Sequence, residues 1–327
     1  MVPDIAQSCR HHFERPRSAD YVINVIGSIL LCRHTAMARK PLDRWIEEMA
    51  GMRKMLNEFA NVPRSEVKGI RAPQLSIAER AQFEMMQQSG FIYDNSISAN
   101  PGRAGEPYWP QTLDYKLAWR CQNDNCVKHS YPGIWEVPIN HFYGYYLPEL
   151  NGYKRSTMVR AAMSLNDTRE TTEKMLWDNF KRAYNSNKAP YVLTLNQDFL
   201  YMLEEEGGLK ALQSFLGTLS QQYNDVWIVT MAQLVDWMRA PHSLKQMHQF
   251  KSIQCSNEEI MSSGANSRSV RRHQETSGPA TAHCANGGYG NVCRYDTPGM
   301  MSSKEHQFKT CNECPRVYPW LGNPLGR

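Results

Sequence analysis

An α/β protein with a parallel sheet under helical cover is the fold class this sequence predicts, and three observations predict it. Helical stretches of ten to fifteen residues alternate with short apolar runs. The runs are nearly continuous rather than alternating, as in strands covered on both faces. With 327 residues, 41% of them hydrophobic, the chain can bury the core of one large domain plus an appendage. This pattern does not separate an open sheet from one closed into a barrel.

Residues 21–32, YVINVIGSILLC, form the one near-continuous apolar run, too short and interrupted to span a bilayer. No transmembrane helix is indicated and no membrane partner is expected. Basic residues precede the run and Ala36-Met37-Ala38 follows it, so it reads either as the apolar core of a signal peptide or as a buried strand. From Leu42, the spacing of Trp45, Met49, Met52, Leu56 and Phe59 predicts an amphipathic helix. Val67 to Ile70 then reads as a strand. Ser76 and Glu79 form a capping box for a helix carrying Phe83 and Met86, ended by Gly90 before the apolar Phe91-Ile92-Tyr93.

Residues 97–163, rich in Pro, Gly, Trp and Tyr, read as a long insert of the functional kind. Beyond it, Asp167 and Glu170 open a helix carrying Leu176, Phe180 and Tyr184. Tyr191 to Leu195 reads as a buried strand ending at Asn196, where a strand-then-helix fold commonly places its chemistry. Asn196 is therefore either a site residue or the cap of the next helix. A helix with Leu209, Leu212, Phe215, Leu216 and Leu219, a strand at Val226 to Val229, and a helix with Leu234, Val235 and Met238 stopped by Pro241 complete the pattern. Residues 256–282 are polar and without periodicity, a linker to a cysteine-bearing tail at 283–327.

A net charge of +5, from 37 basic and 32 acidic residues scattered along the chain, sets nucleic acid aside as a partner. The nine cysteines cluster toward the carboxyl end, which points to disulfides and an oxidising compartment. Cys121, Cys126, Cys255, Cys284, Cys293, Cys311 and Cys314 are the candidates. A four-thiolate zinc site from Cys284, Cys293, Cys311 and Cys314 is the rival reading. No His-x-x-x-His pair is present, and His129, His141, His242 and His248 are not spaced as helix neighbours; each reads as packed or solvated. His141, Phe142, Tyr143, Tyr145 and Tyr146, with Trp135 nearby, could stack on sugars or pack a loop down. Asn166-Asp167-Thr168 is an N-glycosylation sequon.

Several stretches taken together resemble one family. They are G-I-R-A-P (69–73), Y-D-N-S (93–96), W-P-Q-T-L-D-Y (109–115), the Cys121/Cys126 pair, W-E-V-P (135–138), Y-V-L-T-L-N (191–196), D-V-W-I-V-T (225–230), T-C-N-E-C-P (310–315) and Y-P-W (318–320). They look like the animal chitin deacetylases and their nematode-type relatives in the polysaccharide deacetylase (NodB-homology) family, over about Leu42 to Arg327. The resemblance implies a distorted (β/α) barrel in which zinc on one Asp and two His activates water against an N-acetyl group. It makes Arg71 the residue that orients the base, and Trp109 and Pro110 groove residues. Asp94 and Asp114 read either as shaping that groove or as strand-end or turn residues, and Trp135 is a further groove candidate. It also puts Asn196 where active members carry the general-acid His, and an amide does not donate a proton as imidazolium does.

The family's T-F-D-D and His-Ser/Thr-x-x-His metal motifs have no counterpart here. Residues 1–41 do not match the family, so the barrel is expected to be incomplete at its amino-terminal side, with 42–255 as the deacetylase-like domain. The resemblance thus implies a secreted, extracellular-matrix protein of chitin metabolism with no cofactor of its own, zinc serving the active members. Catalysis is expected to be impaired, and the partner is chitin or a related N-acetylglucosamine polymer. Alternatives are a non-catalytic chitin-binding matrix protein using Trp109, Trp135 and the tyrosine cluster, or a truncated product of an active zinc-dependent N-deacetylase.

Overall fold

The structure, a computed structural model, describes residues 37–119, 126–201, 207–254, 290–296 and 306–327. The apolar run 21–32, the linker 256–282, and Cys121, Cys255 and Cys284 lie outside these residues.

Helix α1 (Leu42–Trp45) runs through a π turn (Ile46–Ala50) into α2 (Gly51–Ala60), with helical dihedrals at both junctions. Its predicted stripe is the buried one: Trp45, Met49, Met52 and Leu56 all pack inward. Asn61, in the left-handed region at φ 54°, ends it, a conformation that short polar side chains tolerate. Strand β1 (Gly69–Ile70) follows, then α3 (Glu79–Ser89), closed by Gly90 at φ 68° as expected.

The predicted capping box at the start of α3 is not formed. Ala78 is the cap position, and its N–H donates to Gln82 Oε1 at 3.1 Å. Glu79 faces away from the helix and accepts from the backbone N–H groups of Lys128 and His129, the latter at 2.8 Å. Tying down the insert offers that carboxylate more donors than a cap would.

The insert 97–163 is not a loop. Strands β2 (Tyr93–Asp94), β4 (Gln111–Thr112) and β5 (Trp135–Glu136) join β1 in one sheet of order β1-β2-β5-β4. Its first three strands are parallel and β4 is antiparallel to β5. Strands β3 (Ser98–Ala99) and β6 (Ile139–Asn140) form a second parallel pair, and β7 (Phe142–Leu147) with β8 (Gly152–Ser156) an antiparallel hairpin. Gly69 has a steric reason: a Cβ there would lie 2.0 Å from ring carbons of Tyr93 on the paired strand.

After α4 (Val159–Ala162) come α5 (Arg169–Tyr184), α6 (Gln197–Tyr201), α7 (Gly207–Gln222) and α8 (Met231–Arg239). The strands predicted at 191–195 and 226–229 are not formed. Val159 N–H donates to Thr194 O at 3.1 Å, but no ladder develops along either segment among the described residues. A strand exists only through a partner, and apolar content without one gives an extended chain. Leu193 and Leu195 still pack on the core, whereas Ile228 is 52% exposed. The described sheets are therefore open and close no barrel.

Two apolar cores result. One sits among α1, α2, α3 and the sheet; the other holds Phe142, Leu176, Phe180, Phe199 and Phe215 among α5, α6, α7 and the hairpin. A small group of Tyr93, Val137 and Val235 is packed by Trp135, Val192 and Leu234. The tail hairpin of β9 (Asn291–Tyr295) and β10 (His306–Thr310) is stapled by the Cys293–Cys314 disulfide. It docks on the end of α2: Thr310 Oγ1 donates to Phe59 O at 2.7 Å, Asn312 Nδ2 donates to Glu58 O, and Phe308 meets Phe59 edge-on at 5.3 Å. Carbonyls that a helix end leaves unpaired are satisfied this way.

Candidate functional site

The parallel strands deliver their chemistry at their carboxyl ends, as such sheets do. Strand β1 ends before Arg71, β2 ends in Asp94 with Asn95 and Ser96 following, and β5 ends in Glu136. Arg71 Nε donates to Asn95 Oδ1 (2.9 Å) and to Asn95 O (3.1 Å), and its Nη2 also reaches Oδ1. Asn95 Nδ2 in turn donates to Val137 O at 2.6 Å. Asp94 accepts from Gln82 Nε2 (2.8 Å), Ser96 Oγ (2.7 Å) and Ser96 N–H (3.0 Å), and Glu136 Oε1 accepts from Ile97 N–H (3.1 Å).

Asp94 and Glu136 are both fully buried. Burial raises both carboxyls; the charge of Asp94 and their mutual hydrogen bond push Glu136 well above the usual carboxylate range. Glu136 Oε2 is fully buried and meets no donor group among the described residues. Burial lowers Arg71 to about 10 against the attraction of Asp94 and Glu136, leaving it a cation at neutral pH.

Zinc, which the resemblance implies, needs three convergent His, Asp, Glu or Cys donors. The bonds ordering this cluster involve two mutually bonded carboxyls, amides and a hydroxyl, and no imidazole. No group of three such residues able to hold a metal occurs among the described residues. The donor set does not fit zinc.

The other predicted residues are dispersed. Trp109 stacks on Trp237 with centroids 6.3 Å apart and donates from Nε1 to Asn187 O (3.2 Å), while Pro110 is buried. Asp114 is a turn residue, its Oδ1 accepting from Gly133 N–H at 2.7 Å. Trp135 is half-buried on the group around Val235. Asn196 caps α6, its Oδ1 accepting from Phe199 N–H at 3.3 Å. Asn166 is exposed. Cys126 and Cys311 each take part in a disulfide, and Cys293 is bonded to Cys314, which removes the four-thiolate zinc reading of the tail.

Sequence reasoning missed Glu136 and Asn95, though both lie in motifs noted above. An acid between Trp135 and Val137 in an apolar stretch was the available signal. It also missed a second buried cluster. His141 Nε2 lies 2.6 Å from Ser98 Oγ, Arg182 Nη2 donates to His141 O (2.8 Å), and burial plus the charges of Arg155 and Arg182 lower the imidazole to about 4. A neutral imidazole in this position serves packing.

No protein-family model matches the chain. Over 295 residues it is 28% identical to chitin deacetylase 1 of Bombyx mori, covering 87% of this chain and 48% of that protein. Over 311 residues it is 26% identical to chitin deacetylase 8 of Bombyx mori, covering 90% of this chain and 70% of that protein. The chain spans about half the length of the first relative.

Proposed function

We propose that this chain, a distant relative of the insect chitin deacetylases, binds chitin or a related N-acetylglucosamine polymer in the extracellular matrix without hydrolysing it. The observation that carries the non-catalytic part is the state of the two acids beside Arg71. Hydrolysis of an amide needs an acid or base in reach of the substrate, with a proton free to move. Asp94 and Glu136 are fully buried, bonded to each other and to Gln82, Ser96 and Ile97. Neither can turn to a substrate without breaking that cluster.

Two further points support the reading. Arg71, which the resemblance makes the residue that orients a base, is spent on the Asn95 amide. Asn196, where the resemblance expects an imidazole, is engaged as a helix cap through its oxygen. The disulfides fit a secreted protein, and no helix among the described residues is long and apolar enough to cross a membrane. Sedimentation of the protein with insoluble chitin in high salt tests the binding. Retention is expected, since stacking and neutral hydrogen bonds are little screened by salt. A protein that stays in the supernatant at all salt concentrations overturns the proposal.

A further inference from the structure

We infer that the β7–β8 hairpin is a saccharide-stacking element that prefers an acetylated, uncharged polymer to its amine-bearing, deacetylated counterpart. The inference rests on the chitin-binding reading and adds to it the place of contact and its selectivity. Three observations lead there.

The first is that the base of the hairpin is rigid. It leaves β6 at its carboxyl end, where Phe142 is buried in the second core. The amide of Asn179 holds both backbone groups of Tyr143, accepting from its N–H and donating to its carbonyl, each at 2.9 Å. Tyr143 Oη donates to Asn100 Oδ1 at 2.7 Å, and Arg182 lies over the Tyr143 ring. Gly144 approaches α4 so closely that a Cβ would sit 1.7 Å from Ala162 O. A binding element clamped in this manner loses little entropy on contact.

The second is that beyond Gly144 the aromatic residues turn outward. Tyr145, Tyr146 and Tyr153 are exposed, and Tyr146 stands directly across from Tyr153. Their rings meet edge-to-face at 5.2 Å, the Tyr146 hydroxyl donates to Asn151 Oδ1 at 2.6 Å, and the Arg103 guanidinium lies 3.7 Å from the centre of the Tyr153 ring. The rings are thus held in place while open to solvent. Aromatic faces with a polar tip suit a ligand that is apolar on its ring face and polar at its edges, as a pyranose is.

The third is charge. Within 142–156 the charged residues are Glu149, Lys154 and Arg155, all exposed, and Arg103 adds a further cation beside Tyr153. A polymer carrying ammonium groups meets repulsion here, whereas an uncharged, acetylated polymer does not.

The test compares retention of the full chain on chitin and on cross-linked, deacetylated chitosan beads at about pH 6, where most of the bead amines are charged. The wild type should bind chitin about tenfold more tightly. Replacing both rings, Tyr146→Ser with Tyr153→Ser, should weaken chitin retention about tenfold. The pair Lys154→Gln with Arg155→Gln should leave chitin retention within about twofold and erase most of the preference. All four side chains are solvent-facing, and the charge pair keeps the test alive should the tyrosine pair fail to fold.

Chitin retention that is unchanged in the tyrosine pair overturns the hairpin as the contact and leaves the chitin-binding reading intact. Equal wild-type retention on both supports overturns the selectivity. A wild type that binds neither support overturns both proposals together.

Discussion

His141 is 3% exposed, and burial together with the cations of Arg155 and Arg182 pulls its imidazole from 6.5 to about 4. In the unfolded chain the ring protonates near its ordinary value. Between those values the unfolded state holds a proton that the folded state does not. Stability is therefore full above about pH 6.5 and is lost as the pH falls toward about 4. At ~1.36 kcal/mol per pH unit the loss reaches about 3 kcal/mol at the bottom of the window. That is a large part of the ~5–15 kcal/mol that holds a domain folded. The perturbation is His141→Gln, which keeps a polar group within reach of Ser98 Oγ and carries no charge at any pH. The assay is guanidinium unfolding, with disulfides intact, at steps between about pH 7.5 and about 4. The wild type should lose about 3 kcal/mol more than the variant across that range. Parallel pH dependences for the two proteins, or a His141 resonance titrating near 6.5 in the folded protein, would refute the reasoning.

Gly69→Ala should cost about 1–3 kcal/mol, because the added Cβ falls 2.0 Å from the Tyr93 ring; thermal melts should show the loss, and Tyr93→Leu in the same chain should recover part of it. Glu136→Gln should fold normally, its neutral amide replacing a carboxyl that burial and Asp94 push toward the neutral form. Because Glu136 is raised in the folded state, the stability it contributes is present at acid pH and fades as the pH rises. Melts of the Gln variant should therefore match the wild type in acid and exceed it in alkali, while Glu136→Ala should cost about 1–3 kcal/mol at all pH values. Cys314→Ser, which opens a link between residues 21 positions apart, should cost about 3 kcal/mol. Amide exchange should then show the tail and the end of α2 losing protection together, since Thr310 and Asn312 cap that helix.

Helices were legible because their burial repeats within the chain. The stripe of Trp45, Met49, Met52 and Leu56 is buried as the spacing predicts, as are Leu176 and Phe180 of α5 and Phe215 and Leu219 of α7, whereas Tyr184, Leu209, Leu212 and Leu216 are half-buried. Strands were less so. β4, β5 and β6 are two residues each, too short to show a period, and their existence depends on partners far away in sequence. The reverse error at 191–195 and 226–229 has the same cause: apolar composition predicts a strand, but pairing makes one. Of the site, Arg71 follows from the resemblance and Asp94 reads as a groove or strand-end residue, while Glu136 and Asn95 were hidden. Asp94 and Glu136 stand 42 positions apart in the chain and meet only because β2 pairs with β5. The aromatic cluster was read as either packing or sugar-stacking, and the hairpin divides it: Phe142 and Tyr143 go inward, Tyr145 and Tyr146 outward.

Acetate release separates binding without hydrolysis from residual catalysis. The full chain, supplied with zinc, is incubated with soluble N-acetylglucosamine oligomers, and free acetate and amine-bearing product are followed over time. No acetate above that in a control without protein is expected, from oligomers that remain bound. Zinc-dependent release of acetate that disappears in Arg71→Ala would contradict it, and would mean that the acids beside Arg71 open to the substrate after all.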